Sequence, residues 1–146
     1  MECRMDHIVL NMDDEETMLD FYIRVLELRP ERLSEYRAGT VPFPSVRLNA
    51  DTIIDFFPKA MWEQTVAPGP GGRHFNHLCL ALGKDDWDAL QNRLSEAGVA
   101  IEAGPVQRWG AHGTGTSIYF RDPENNLIEA RHYRGHDTKQ RCLLGS

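Results

Sequence analysis

An internal repeat does most to limit what this chain can fold into. Met5–Met12 (MDHIVLNM) can be laid over Phe75–Leu82 (FNHLCLAL); both read as strands with a histidine at the third position, His7 and His77. An acidic helix start follows each, Asp13-Asp14-Glu15-Glu16 in the first copy and Asp85-Asp86 in the second. Each copy then runs to an apolar strand carrying one carboxylate, Asp55 within Thr52–Phe57 and Glu129 within Asn126–Arg131. Between helix and last strand, residues 30–39 and 45–50 read as strands in copy one, and 101–108 and 115–121 in copy two. Each copy is βαβββ. The expected fold is α+β, with a module at 1–59, a linker at 60–73, a second module at 74–133 and a tail at 134–146.

Local signals support these elements. Asp13 and Glu16 have capping-box spacing, and Met18, Tyr22, Val25 and Leu26 then share one helical face. In copy two Asp85 is the expected cap, with Trp87, Leu90, Leu94 and Ala97 as the apolar stripe. Gly98 stands where a left-handed residue closes a helix. Ala67–Gly72 (APGPGG) has the composition of an irregular connection. Asp122-Pro123-Glu124-Asn125 reads as a type I turn, since proline presets φ and asparagine tolerates the left-handed region. That turn makes 115–121 and 126–133 a hairpin.

Composition narrows the function classes. At 146 residues with 41% hydrophobic content, the chain can bury a core without disulfides. Its three cysteines, Cys3, Cys79 and Cys142, are scattered without a CxxC, which suits a reducing compartment, and a cytoplasmic location is expected. No apolar run approaches the ~20 residues of a membrane span, so no membrane partner is expected. A net charge of −6 argues against nucleic acid, whose affinity comes largely from Lys and Arg neutralising phosphates.

Strand periodicity then places the polar residues. His7 shares a face with Met5, Val9 and Asn11, opposite Ile8, Leu10 and Met12; His77 shares one with Phe75, Cys79 and Ala81. Asp55 faces with Ile53 and Phe57, and Glu129 with Leu127 and Arg131. If the two copies curve toward each other, two imidazoles and two carboxylates converge. A lone strand histidine is ordinarily a hydrogen-bonded structural residue, but a carboxylate inside an apolar strand is costly unless paired or ligated. Four such residues at matching places point to one divalent ion held by His7, His77, Glu129 and Asp55. Zn, Mn, Fe, Co and Ni all suit imidazole plus carboxylate, and two histidines with one carboxylate also form the facial site of non-haem iron oxygenases.

The duplicated βαβββ pattern, the two strand histidines and the segment Gly113–Glu129 (GTGTSIYFRDPENNLIE) resemble the vicinal oxygen chelate superfamily over residues 4–133. That group includes glyoxalase I, extradiol dioxygenases, methylmalonyl-CoA epimerase and the fosfomycin- and bleomycin-resistance proteins. The resemblance implies paired modules forming a cupped mixed sheet around a metal, in a homodimer. It implies His7, His77 and Glu129 as ligands, with Asp55 where glyoxalase I and the epimerase carry Glu or Gln. An Asp is one methylene shorter, which leaves direct ligation, ligation through water or a role as base open. Asn125 replaces the glycine usual in the Asp-Pro turn.

The function expected is a small-molecule metalloenzyme of the glyoxalase type, a lyase or isomerase working through a metal-chelated, enolate-like intermediate. Asp55 or Glu129 would move the proton. Two alternatives stand beside it: an Fe(II) extradiol ring-cleaving dioxygenase, and a metal-free protein that sequesters an aromatic ligand. Arg131 is expected either to clamp an anionic substrate or to pair with Asp55. Phe57, Phe75 and Trp62 are pocket wall or core. His112 lies in the Gly-rich loop Trp109–Gly113, which either gates a pocket or merely connects strands and lacks the Gly-Lys-Ser/Thr of a phosphate loop. Cys79 reads as a small buried residue, and His74, His132 and His136 as surface histidines.

Overall fold

Alternation along His7–Asn11 buries Leu10 and leaves His7, Val9 and Asn11 exposed, so this first strand packs one face only. The structure, a computed structural model, describes Met1, Met5 and residues 7–65, 77–110 and 112–134. It divides into two units, Met1–His74 and Phe75–Ser146. The described part of the first contains β1 (His7–Asn11), α1 (Glu15–Asp20), β2 (Arg29–Glu31), α2 (Leu33–Arg37), β3 (Ser45–Arg47), β4 (Ile53–Phe57) and α3 (Lys59–Thr65). That of the second contains β5 (Leu78–Ala81), α4 (Lys84–Glu96), β6 (Ala103–Gly110), β7 (Gly113–Arg121) and β8 (Leu127–His132).

The two sheets share one topology. The orders are β1-β4-β3-β2 and β5-β8-β7-β6, each with its first strand parallel to its last and the remaining pairs antiparallel. Val9 pairs with Asp55 as Cys79 pairs with Glu129, so the carboxylates hold equivalent registers. In the first unit Met18, Tyr22, Val25 and Leu26 are buried, and the Tyr22 ring meets Phe56 edge-on at 4.9 Å. In the second, Trp87, Leu90 and Leu94 cover Ile128 and Ala130, and the Trp87 indole N–H donates to the Ala130 carbonyl at 2.9 Å. Odd-numbered Asp55 and Glu129 therefore face away from the helices, as the alternation requires.

Several local expectations are corrected. The first helix is capped by Asp14, not Asp13: Asp14 is extended (φ −103°, ψ 97°) and accepts the Thr17 N–H at 3.0 Å. Gly83, not Asp85, precedes α4, leaving Asp85 and Asp86 in its first turn, where they oppose the helix dipole. Ala97 is exposed rather than part of the buried stripe, because it is the residue at which α4 closes. Gly98, at φ +70°, then completes a Schellman closure: its N–H donates to Ser95 and that of Val99 to Leu94. After α1 the chain widens into a π-helical turn, Phe21–Val25.

Residues 30–39 form no continuous strand. Arg32 takes a left-handed conformation (φ +56°), which ends β2 and sends Leu33–Arg37 into a helix whose Tyr36 hydroxyl donates to Glu15. Of the stretch 60–73 expected as linker, the part up to Thr65 is α3, while Ala67–Gly72 lies outside the described residues. The tail 135–146 also lies outside them.

The Asp122–Asn125 turn forms as expected. The Asn125 N–H donates to the Asp122 carbonyl at 3.0 Å, and the Asp122 carboxylate accepts from the Glu124 and Asn126 amides. Asn125 sits at φ +71°. Left-handed backbone costs an ordinary L-residue roughly 1–2 kcal/mol. Asn125→Ala should therefore lower stability by about 1 kcal/mol and Asn125→Gly should not, as urea midpoints would show.

Candidate functional site

Glu129 occupies the middle of β8 and is 3% exposed, so its carboxylate needs partners. Three groups provide them. The Ser117 hydroxyl, on the neighbouring β7, donates to Oε1 at 2.6 Å. Arg131, two residues along the same strand face, donates to Oε1 from Nη2 at 2.6 Å and from Nε at 3.2 Å. His77, just before β5, sets Nε2 3.0 Å from Oε2. Burial alone would push the Glu129 carboxyl up. The hydrogen bonds from Ser117 and Arg131, the Arg131 charge and the His77 contact override it and hold the group down at about 2.

Arg131 is itself buried and committed. Beyond Glu129, its Nη1 donates to the Tyr133 hydroxyl at 3.2 Å and its Nη2 to the Trp109 carbonyl at 3.0 Å. Burial would lower its pKa, but Glu129 and Tyr133 raise it. The guanidinium pairs with Glu129 rather than with Asp55. His77, Cys79, Trp109, Glu129, Arg131 and Tyr133 line a hollow of about 330 Å³, at the small end of ligand sites.

The other expected residues fall as follows. His112 stands over the Tyr133 ring at 5.4 Å, and its backbone N–H donates to the Tyr133 hydroxyl at 3.4 Å, which links it to Arg131 through Tyr133. In the first unit Asp55 is buried, with the Ser45 hydroxyl donating to Oδ1 at 2.6 Å, while His7 is exposed on β1. Phe57 is half-buried against the Phe43 ring, and Trp62 donates its indole N–H to the Met12 carbonyl. Phe75, His74 and His136 lie outside the described residues. Cys79 is exposed rather than buried, because it shares the open sheet face with Glu129. Partial desolvation and then the Glu129 charge push its thiol up to about 11. His132 is half-buried against the Trp87 ring at 4.7 Å, not a free surface histidine, and burial followed by the Lys84 charge lowers its pKa.

Ser117, Tyr133 and Ser45 are the site's partners that sequence reading missed. A signal for one of them existed. Counting outward from the Asp122–Asn125 turn pairs Tyr119 with Glu129 and Ser117 with Arg131, which puts the Ser117 hydroxyl on the Glu129 face.

The donor chemistry fits a cation in part. Two ligands at about 2.1 Å from one ion and at right angles lie roughly 3 Å apart, and the His77 Nε2 to Glu129 Oε2 separation matches that spacing. Hydrogen bonds from Ser117 and Arg131 to the other carboxylate oxygen are the kind that orient a ligating carboxylate. Among the described residues, no group of three or more His, Cys, Asp or Glu side chains is gathered closely enough to hold a metal. His77 and Glu129 bring two donor atoms together, and a metal site would need at least a third.

The model of the Glyoxalase/Bleomycin resistance protein/Dioxygenase superfamily matches residues 4–130. The chain is 36% identical over 131 residues to the glyoxalase domain-containing protein RDO1 of Mycosarcoma maydis, covering 89% of this chain and 68% of that one. It is 35% identical over 131 residues to the virulence protein STM3117 of Salmonella typhimurium, covering 89% and 84%. The crystal structure of that virulence protein superposes with a TM-score of 0.69 at 28% identity over 91% of this chain and 98% of its own. The metallothiol transferase FosB of Shouchella clausii is 27% identical over 126 residues, covering 86% and 77%.

Proposed function

Because this chain belongs to the glyoxalase/bleomycin resistance protein/dioxygenase superfamily, we propose that it is a divalent-metal-dependent enzyme acting on a small molecule, by lyase or isomerase chemistry. The observation that carries this reading is the His77–Glu129 pair, two donor atoms 3.0 Å apart at the edge of a small hollow. His7, at the position of the first unit equivalent to His77, is the proposed third ligand, supplied by the same chain or by a second copy in a homodimer. A bound ion would supply Lewis-acid stabilisation of negative charge developing on substrate oxygen.

The chain's own residues supply the rest. Ser117 and Arg131 engage Oε1 of Glu129, so Oε2, which lies beside His77 Nε2, is the oxygen that would be offered to an ion. Asp55 is the proposed proton carrier, its Oδ1 held by Ser45 so that Oδ2 is the oxygen that exchanges the proton. Four N–H groups of Arg131 are directed to Glu129, Tyr133 and Trp109, which favours a role in positioning Glu129 over one in clamping a substrate anion. Phe57 and His112 are proposed to touch the substrate. FosB is named a metallothiol transferase, which supports a metal in this family without fixing the reaction here.

Metal-stripped protein should take up Zn, Ni, Mn, Co or Fe(II) at one ion per chain by calorimetry and elemental analysis. His77→Ala should weaken that uptake at least ~10-fold. A wild-type chain that takes up none of the five, while aromatic ligands raise its melting temperature, would replace the proposal with metal-free sequestration. Ring-opened product from catechol and oxygen after anaerobic Fe(II) loading would replace lyase chemistry with ring cleavage.

A further inference from the structure

Trp109 is 81% exposed, an unusual position for the largest apolar side chain, and it lines the same hollow as His77 and Glu129. It lies near the end of β6, where the ladder with β7 closes through Trp109↔Thr114 and Gly110↔Gly113. One anchor reaches it from outside the β6–β7 ladder: the Arg131 guanidinium donates to the Trp109 carbonyl and, from the same Nη2, to Oε1 of Glu129. A second strand of the same network runs from Nη1 to the Tyr133 hydroxyl, which also accepts the His112 amide beyond the hairpin end.

We infer that Arg131 is a positioning residue that ties the Trp109 hairpin to the metal-facing carboxylate, so that cation binding at Glu129 and the setting of the Trp109 indole over the hollow are coupled. This coupling rests on the proposed metal site. The physical reason is the shape of guanidinium: a rigid planar fork that moves as one body. A cation drawing on Oε2 alters the seat of Oε1, and the fork carries that change to the Trp109 backbone. By linkage, a substrate that stacks on the indole strengthens cation binding, and the cation strengthens stacking. Substrates with a flat apolar portion beside their metal-binding oxygens gain most from this arrangement, because a planar face covers the indole while a fully hydrated one does not.

The test uses the full chain and Zn²⁺, which does not itself quench fluorescence. The Trp109 signal is the difference between wild type and Trp109→Phe, since Trp87 is buried and Trp62 is bonded to Met12. Saturating Zn²⁺ should change acrylamide quenching of Trp109 in the wild type. It should also slow amide exchange along Arg108–Gly110. Arg131→Lys keeps the charge but cannot reach Glu129, Tyr133 and Trp109 together. It should bind Zn²⁺ roughly 10-fold more weakly and show no quenching change at saturation. An equal quenching change in Arg131→Lys overturns the coupling. So does a wild type that binds Zn²⁺ with neither quenching nor exchange altered, and the exchange measurement decides if Arg131→Lys does not fold. A wild type that binds no Zn²⁺ overturns the metal reading beneath it, and calorimetry tells the two failures apart.

Discussion

Glu129→Gln should destabilise the metal-free protein by about 3–5 kcal/mol, the usual cost of stranding a buried charge. Glutamine can still accept hydrogen bonds from Ser117 and Arg131, so packing changes little. What disappears is the counter-charge of a guanidinium whose side chain is 4% exposed. Arg131→Met in the same chain should restore most of the loss, because two apolar or neutral groups of similar size can replace a buried ion pair at little cost. Urea unfolding of both single variants and the double variant closes the cycle and isolates the pair. If Glu129→Gln is as stable as wild type, the ion pair is not what holds this strand face together.

The same pair sets an acid response of defined sign. The Glu129 carboxyl sits at about 2 when folded, against ~4.3 for a free glutamate. A depressed folded value adds stability that is present above the unfolded pKa and is lost as pH falls from there toward the folded one. Wild type should therefore lose more stability than the Glu129→Gln/Arg131→Met double variant between roughly pH 4 and pH 2.

Gly104→Ala is expected to cost more than about 3 kcal/mol, or to prevent folding of the second unit. Gly104 has φ +103°, and a Cβ there would stand 2.3 Å from the Ser117 carbonyl oxygen and 3.0 Å from the Ile118 Cα. Both obstacles are backbone in β7, so no side-chain rotation relieves them. The strain would reach the site directly, since Ser117 also holds Oε1 of Glu129. Gly98→Ala and Gly113→Ala are the controls: their φ values are also positive, but nothing lies within 4 Å. Those two should lose only the ~1–2 kcal/mol of left-handed backbone. Equal melting temperatures for all three variants would show that the close approach at Gly104 is not limiting.

Particular residues show where reading a sequence works. The period of two in β1 and β5, and the single carboxylate in β4 and β8, already place His7, His77, Asp55 and Glu129 on the faces opposite the helices. Strand alternation is a local steric property, so it survives without knowledge of neighbours. The same holds for the Asp122–Asn125 turn and the Gly98 closure, where one residue's backbone preference decides the geometry. Cap positions depend on more than local pattern. Asp13 and Asp14 have the same chemistry, and only the chain's direction on leaving β1 selects Asp14. Residues 30–39 read as strand because their break depends on Arg32 adopting a left-handed conformation that no pattern announces.

The repeat, the βαβββ order and the face assignments were thus determined by the amino-acid order alone, because each follows from periodicity and from which side chains water rejects. Which partner each buried charge takes was decided only in three dimensions. Arg131 could have met Asp55, and the register of β7 on β8 together with the β6 hairpin end gave it Glu129, Tyr133 and the Trp109 carbonyl instead. A guanidinium takes whichever acceptors lie within about 3 Å of its fork, and that distance is a product of strand pairing rather than of sequence spacing.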